Sequence, residues 1–180
     1  LQFQEWYRSV LTTNNDWAAM AGASWAKIAL TVLERGSLYD ASSVTKKGDA
    51  ITIFAGHDYD LDGLATALDV MWDLPEYQTH PEFLPTPPGS GIHMVRDTET
   101  DEIRVSFVYP VFHQEAHAHW KMDDSGTMKE VPVIWNDDKS RQILSSMNEL
   151  ESHFVQTLSL YAGAMECFQV TANELDRTMP

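Results

Sequence analysis

Ala50-Ile51-Thr52-Ile53-Phe54-Ala55-Gly56-His57-Asp58 decides the fold. The run from Ala50 to Gly56 is short, β-branched and almost wholly apolar, which predicts a strand buried on both faces, as in a parallel sheet. Lys46-Lys47-Gly48-Asp49 before it predicts a turn. After it, Leu61, Leu64, Ala65, Leu68, Met71 and Trp72 recur at helical spacing, and Leu74-Pro75 closes the stripe. A buried strand feeding a helix predicts an α/β fold, with a mixed and mostly parallel sheet flanked by helices. The site is then expected at the carboxyl edge of strand 50–56.

Working outward, Phe3, Trp6, Tyr7 and Val10 show helical spacing. The polar run Thr12 to Asp16 predicts an N-cap, and Trp17 to Arg35 predicts a helix. Its firmest apolar face is Trp17, Ala21, Trp25, Ile28 and Val32, and Gly36 is placed as the stop. Residues 75–91 hold five of the eight prolines and predict a long loop. Ile92–Arg96 and Ile103–Tyr109, on either side of a polar turn, predict a β-hairpin. Val111–Trp120 and Val131–Trp135 are further short strand candidates. Asp137 or Asp138 is expected to cap one last helix to about Phe168, with Ile143, Met147, Leu150, Phe154, Leu158 and Tyr161 on one face.

The 180 residues carry 27 acidic and 12 basic side chains, a formal charge of −15. That balance argues against non-specific nucleic-acid binding, which needs Lys and Arg to displace counterions. It argues equally against adhesion to anionic lipid. No apolar run approaches the roughly 20 residues needed to span a bilayer. Cys167 is the single cysteine, so no disulfide forms within the chain.

Chemistry concentrates at His57-Asp58. A helix that starts there directs its positive dipole end to the strand's carboxyl edge, which suits a phosphate. A histidine can donate hydrogen bonds to that anion. An aspartic acid beside it can pass a proton to a leaving oxygen.

In this ordered context, Ile51–Leu74 resembles the carboxy-terminal motif of the histidine acid phosphatases, the group that includes acid phosphatases and phytases. Gly56-His57-Asp58, Leu61, Leu64 and Ala67-Leu68 carry the resemblance, and Trp72 with Leu74-Pro75 extends it. Pro87-Pro88-Gly89-Ser90-Gly91 and the hairpin after it resemble the family's Pro-rich loop and two following strands. The resemblance implies that residues 1–180 are the carboxy-terminal part of a histidine phosphatase-like domain, incomplete here. It implies phosphate monoester hydrolysis, with His57 binding the phosphate and Asp58 as the general acid. The family's nucleophile is a histidine in Arg-His-Gly-x-Arg-x-Pro, and no Arg-His-Gly occurs in the chain. The expected partners are therefore a phosphomonoester substrate and a missing amino-terminal portion or partner chain. Neither a metal nor another cofactor is expected. By resemblance alone the compartment would be secreted, periplasmic or lysosomal. Tyr59 and Asp60 depart from the family, which has small polar residues there, and an acidic Asp60 beside a phosphate pocket is electrostatically odd.

Two other patterns compete. Asp58, Asp60 and Asp62 with Gly63 and Asp69 match the start of an EF-hand loop, whose calcium ion needs hard oxygen ligands at that spacing. His113, Glu115, His117 and His119 would share one face of a strand and could hold zinc, but the solvated outer face of an edge strand is the preferred reading, because no second ligand cluster is evident. A non-enzymatic structural or assembly subunit on a degenerate phosphatase fold, or a calcium- or metal-binding module, are the alternatives to the enzyme.

Overall fold

The computed structural model describes residues 15–35, 51–75, 77, 86–114, 120–122 and 128–178. Helix α1 is Asp16–Arg35. Asn15 begins it by accepting a hydrogen bond from the Ala18 N–H through its side chain (3.0 Å). Asp16 and Arg35 sit at the ends that favour their charges. Helix α2 is Asp58–Leu68. It stops at Asp69, which adopts the left-handed conformation (φ 51°) and receives a hydrogen bond from Asn136 on its carboxylate (2.7 Å).

The two helices cross closely. A Cβ added at Gly22 would lie 2.0 Å from the carbonyl oxygen of Gly63. Only small residues fit such a crossing, so the core face of α1 is Ala19, Gly22, Ala23, Ala26 and Leu30. This corrects the face expected from the sequence. Trp17 is 72% exposed, and Ala21 is also exposed.

Beyond α2 the strands are short. β1 (Val70–Met71) pairs with β7 (Ile134–Trp135). β2 (Gly91–Arg96) and β3 (Ile103–Pro110) form the expected hairpin, in register from Gly91 opposite Val108 to Arg96 opposite Ile103. β3 also pairs with β6 (Met128–Pro132) and, at its start, with β8 (Ile143–Leu144). β4 (Phe112–Gln114) pairs with β5 (Trp120–Met122). The helical stripe expected to reach Trp72 therefore ends at Leu68, because Val70 and Met71 are used in a strand.

Every strand pair among the described residues is antiparallel. The α/β class holds as a mixture of helices and antiparallel sheets. The mostly parallel sheet does not appear among these residues, because the segment expected to seed it pairs with none of the described strands. Ile51–His57 has no regular structure, and Ile51 and Ile53 are 85% and 86% exposed.

β3 alternates as a half-buried strand should, with Ile103, Val105, Phe107 and Tyr109 buried. Phe107 stacks on Trp72 with centroids 4.0 Å apart. Helices α3 (Met147–Leu158) and α4 (Ala164–Thr178) close the core. Leu150, Phe154 and Leu158 are fully buried, and truncating one such leucine to alanine costs about 2–5 kcal/mol.

The last helix differs from expectation at both ends. Ser146 caps α3, accepting from the Glu149 N–H (3.2 Å), while Asp138 holds a turn through Ser140 (3.0 Å to its N–H). The predicted single helix is broken near Gly163, which takes φ +76°. There the Ala162 N–H is held by the Asp16 carboxylate (2.9 Å), turning the chain back along α1. The segment 3–10, Gly36, the turn 46–49, and Glu115, His117 and His119 lie outside the described residues. So does most of the loop 75–91.

Candidate active site at the start of helix α2

The junction is built from five residues, His57 to Asp60 of α2 and its cap with Trp25 of α1. His57 is the N-cap of α2, with extended backbone (φ −110°, ψ 173°). Its N–H donates to the Asp60 carboxylate (2.7 Å), which satisfies one of the donors that a helix start leaves free. The same carboxylate accepts from the indole Nε1–H of Trp25 on α1 (3.1 Å). Asp60 is thus a capping residue tied to the neighbouring helix, which accounts for an acidic group at a position that looked unsuited to an anion pocket.

Tyr59 lies beside His57. Their rings are nearly parallel (8°) with centroids 5.2 Å apart, and the phenolic oxygen is 3.4 Å from His57 Nδ1. The His57 side chain is 73% exposed. The Asp58 carboxylate accepts from the Tyr59 N–H (3.0 Å). The two sequence-predicted site residues are therefore consecutive at the helix start, His57 open to solvent and Asp58 folded onto the first turn.

A cavity of about 600 Å³ opens beside them. Trp25 and Ile28 of α1, Leu64 of α2 and Ile92 of β2 supply much of its apolar wall, and the segment from Ile51 to Phe54 forms another side. Phe54 packs edge-on against Trp25, with centroids 5.7 Å apart. His57, Asp60 and His93 are its ionisable lining residues; Asp58 is not part of the lining.

His93 brings in a group that sequence reasoning missed. Its Nδ1 is 3.1 Å from Glu130 Oε1, and the Ser106 hydroxyl donates to the same oxygen. The Ser106 hydroxyl, then His93, holds the Glu130 carboxyl below its ordinary value. These three residues meet only through the β2–β3–β6 register, so no local spacing announces them.

The calcium-loop spacing is not realised. Asp58, Asp60 and Asp62 fall on a helix, Asp60 is engaged as a cap, and Asp62 is 1% exposed. Among the described residues, no group of three or more His, Cys, Asp or Glu side chains is placed to hold a metal ion. Nor is any described helix long and apolar enough to cross a membrane.

Compared with known proteins, the chain matches no family model, no curated protein and no solved structure.

Proposed function

We propose that this chain supplies the phosphate-binding and proton-donating half of a phosphomonoesterase of the histidine acid phosphatase type. The nucleophilic histidine and its arginines come from polypeptide outside these 180 residues. One observation carries the proposal: an exposed histidine caps a helix beside a large cavity, directly after the apolar segment Ile51–Gly56, which pairs with none of the described strands.

The chemistry divides between neighbours. His57 donates a hydrogen bond to the phosphate, assisted by the positive end of α2. Asp58, once its carboxyl leaves the Tyr59 N–H and carries a proton, protonates the leaving-group oxygen. A nucleophilic histidine attacks phosphorus, forms the P–N bond as the P–O bond breaks, and water later restores it. In the complete protein Ile51–Gly56 becomes a strand of a mixed sheet, and the incoming strands cover Ile51 and Ile53. A chain of charge −15 would repel a polyanionic substrate unless the missing part is basic around the pocket.

A second reading shares the docking surface but not the chemistry: a non-enzymatic assembly subunit. The orientation of Asp58, turned onto its own first turn and outside the cavity lining, favours it. Assay of the complete protein separates the two. An enzyme loses at least about a hundredfold in turnover on Asp58→Asn, whereas an assembly subunit hydrolyses no phosphomonoester with either residue.

A further inference from the structure

We infer that the cavity beside α2 is a binding site for a neutral aromatic alcohol, whose ring lies against the apolar wall and whose hydroxyl donates to Nε2 of His93. The site needs no phosphate and is independent of the function proposed above. A volume of about 600 Å³ is that of a small-molecule site. Trp25, Ile28, Leu64 and Ile92 give it apolar walls, and Trp25 with Phe54 offers aromatic surface for a ring to pack on. No lysine or arginine is among its described lining residues, so within this chain a neutral ligand suits it better than an anion. The Asp60 carboxylate in the lining is already engaged by the His57 N–H (2.7 Å) and the Trp25 indole (3.1 Å).

His93 supplies the polar group with a fixed role. It lies on β2 directly opposite Ser106 of β3, and Glu130 lies on β6, the next strand over. Ser106 is short, so the two longer side chains meet above it on one face of the sheet. Nδ1 of His93 is 3.1 Å from Glu130 Oε1, and the Ser106 hydroxyl donates to the same oxygen. An ionised carboxylate only accepts, and these two contacts favour the ionised form of Glu130. The proton of this bond therefore sits on Nδ1. A neutral imidazole has one donor and one acceptor nitrogen, so Nε2 keeps its lone pair. The opposite tautomer would set a lone pair against the carboxylate. The His93 side chain is half exposed, which leaves Nε2 open to a ligand. A hydroxyl is the donor that matches it, and an apolar body is what the walls accept.

The test is titration of the 180-residue chain with 2-naphthol and with 2-methoxynaphthalene, which has the same rings and no hydroxyl proton. Equilibrium dialysis gives the affinities. Nitrogen NMR of histidine-labelled chain gives the tautomer, at a pH where imidazole and naphthol are both neutral. The expected result is His93 in its Nδ1–H form, with its Nε2 resonance shifted by 2-naphthol. 2-Naphthol should bind about threefold to tenfold more tightly than 2-methoxynaphthalene, the size of one neutral hydrogen bond. His93→Phe keeps a ring at an exposed position and should erase that preference. Glu130→Leu, which is not among the described lining residues, should give a tautomer mixture and a smaller preference. Binding of neither compound, equal binding of both, an Nε2–H form of His93, or a preference that survives His93→Phe overturns the inference. Phosphatase turnover by the complete protein bears only on the function proposed above, so the two fail separately.

Discussion

Trp25 and Asp60, 35 positions apart, are joined by one hydrogen bond of 3.1 Å that runs from the indole of α1 to the capping carboxylate of α2. It links the helix crossing to the residue that begins the site, since the other oxygen of Asp60 holds the His57 N–H (2.7 Å).

Replacing Trp25 with phenylalanine keeps a ring against Phe54 and removes the donor. Stability should fall by about 1 kcal/mol, the net value of one hydrogen bond with a charged acceptor at a part-exposed position. Urea denaturation measures it as a lower midpoint at unchanged slope.

The α1–α2 crossing is more sensitive. Gly22→Ala puts a methyl 2.0 Å from the Gly63 carbonyl oxygen, and that neighbour is backbone. Overpacking costs about 1–3 kcal/mol, and a backbone neighbour that cannot move aside puts this position at the upper end. Thermal unfolding of Gly22→Ala should show a clear drop in Tm. A comparably small change at the exposed neighbour, Ala21→Ser, should leave Tm almost unmoved.

His153 is buried, and its Nε2–H donates to the Leu68 carbonyl at the end of α2 (2.6 Å). His153→Phe fills similar space against Trp135 but leaves that carbonyl without this donor. A loss of about 1–3 kcal/mol is expected in chemical denaturation.

Acid sensitivity has a specific source at Glu149. The Ser145 hydroxyl first, and its N–H second, hold the Glu149 carboxyl below its ordinary value of 4.5. A carboxyl with a folded pKa below the unfolded one adds stability fully above the unfolded value, and that stability disappears as pH falls through the folded value. The stability difference between wild type and Glu149→Gln should therefore be present at pH 7, shrink below about pH 4.5 and vanish in stronger acid. Denaturation midpoints at stepped pH measure it.

Legibility follows the range of the forces involved. Helix α1 could be bounded from Asn15, Asp16 and Arg35, which act locally, and the β2–β3 hairpin from alternation on either side of Asp97–Glu102. The buried face of α1 could not be found that way. Trp25, Ile28 and Val32 form the greasier stripe, but the contact distance between Gly22 and Gly63, set by tertiary packing, selects the small-residue stripe. Ile51–Phe54 has the composition of a buried strand, yet a strand exists only with a partner, and none of the described strands pairs with it. At the site, His57-Asp58 was visible as a helix start. The capping duty of Asp60 became visible only once the Trp25 indole and the His57 N–H were placed around it.

The exposed isoleucines test the docking surface. Ile53→Ser should change the stability of the chain by less than about 0.5 kcal/mol, since Ile53 is 86% exposed. On the proposed reading, in which Ile51–Gly56 pairs in the complete protein, the same substitution should remove activity by weakening that sheet. Equilibrium unfolding of the chain and turnover of the complete protein read the two halves of this expectation.

Hydrolysis of p-nitrophenyl phosphate puts the central claim to its most direct test. It should be measured for the 180-residue chain alone, for the same chain with a polypeptide carrying Arg-His-Gly-x-Arg-x-Pro, and for His57→Ala and Asp58→Asn in that complete form. The account predicts no turnover from the chain alone, turnover from the complete form, and its loss in both variants. Robust hydrolysis by the 180 residues alone, or a complete form indifferent to Asp58→Asn, would contradict it.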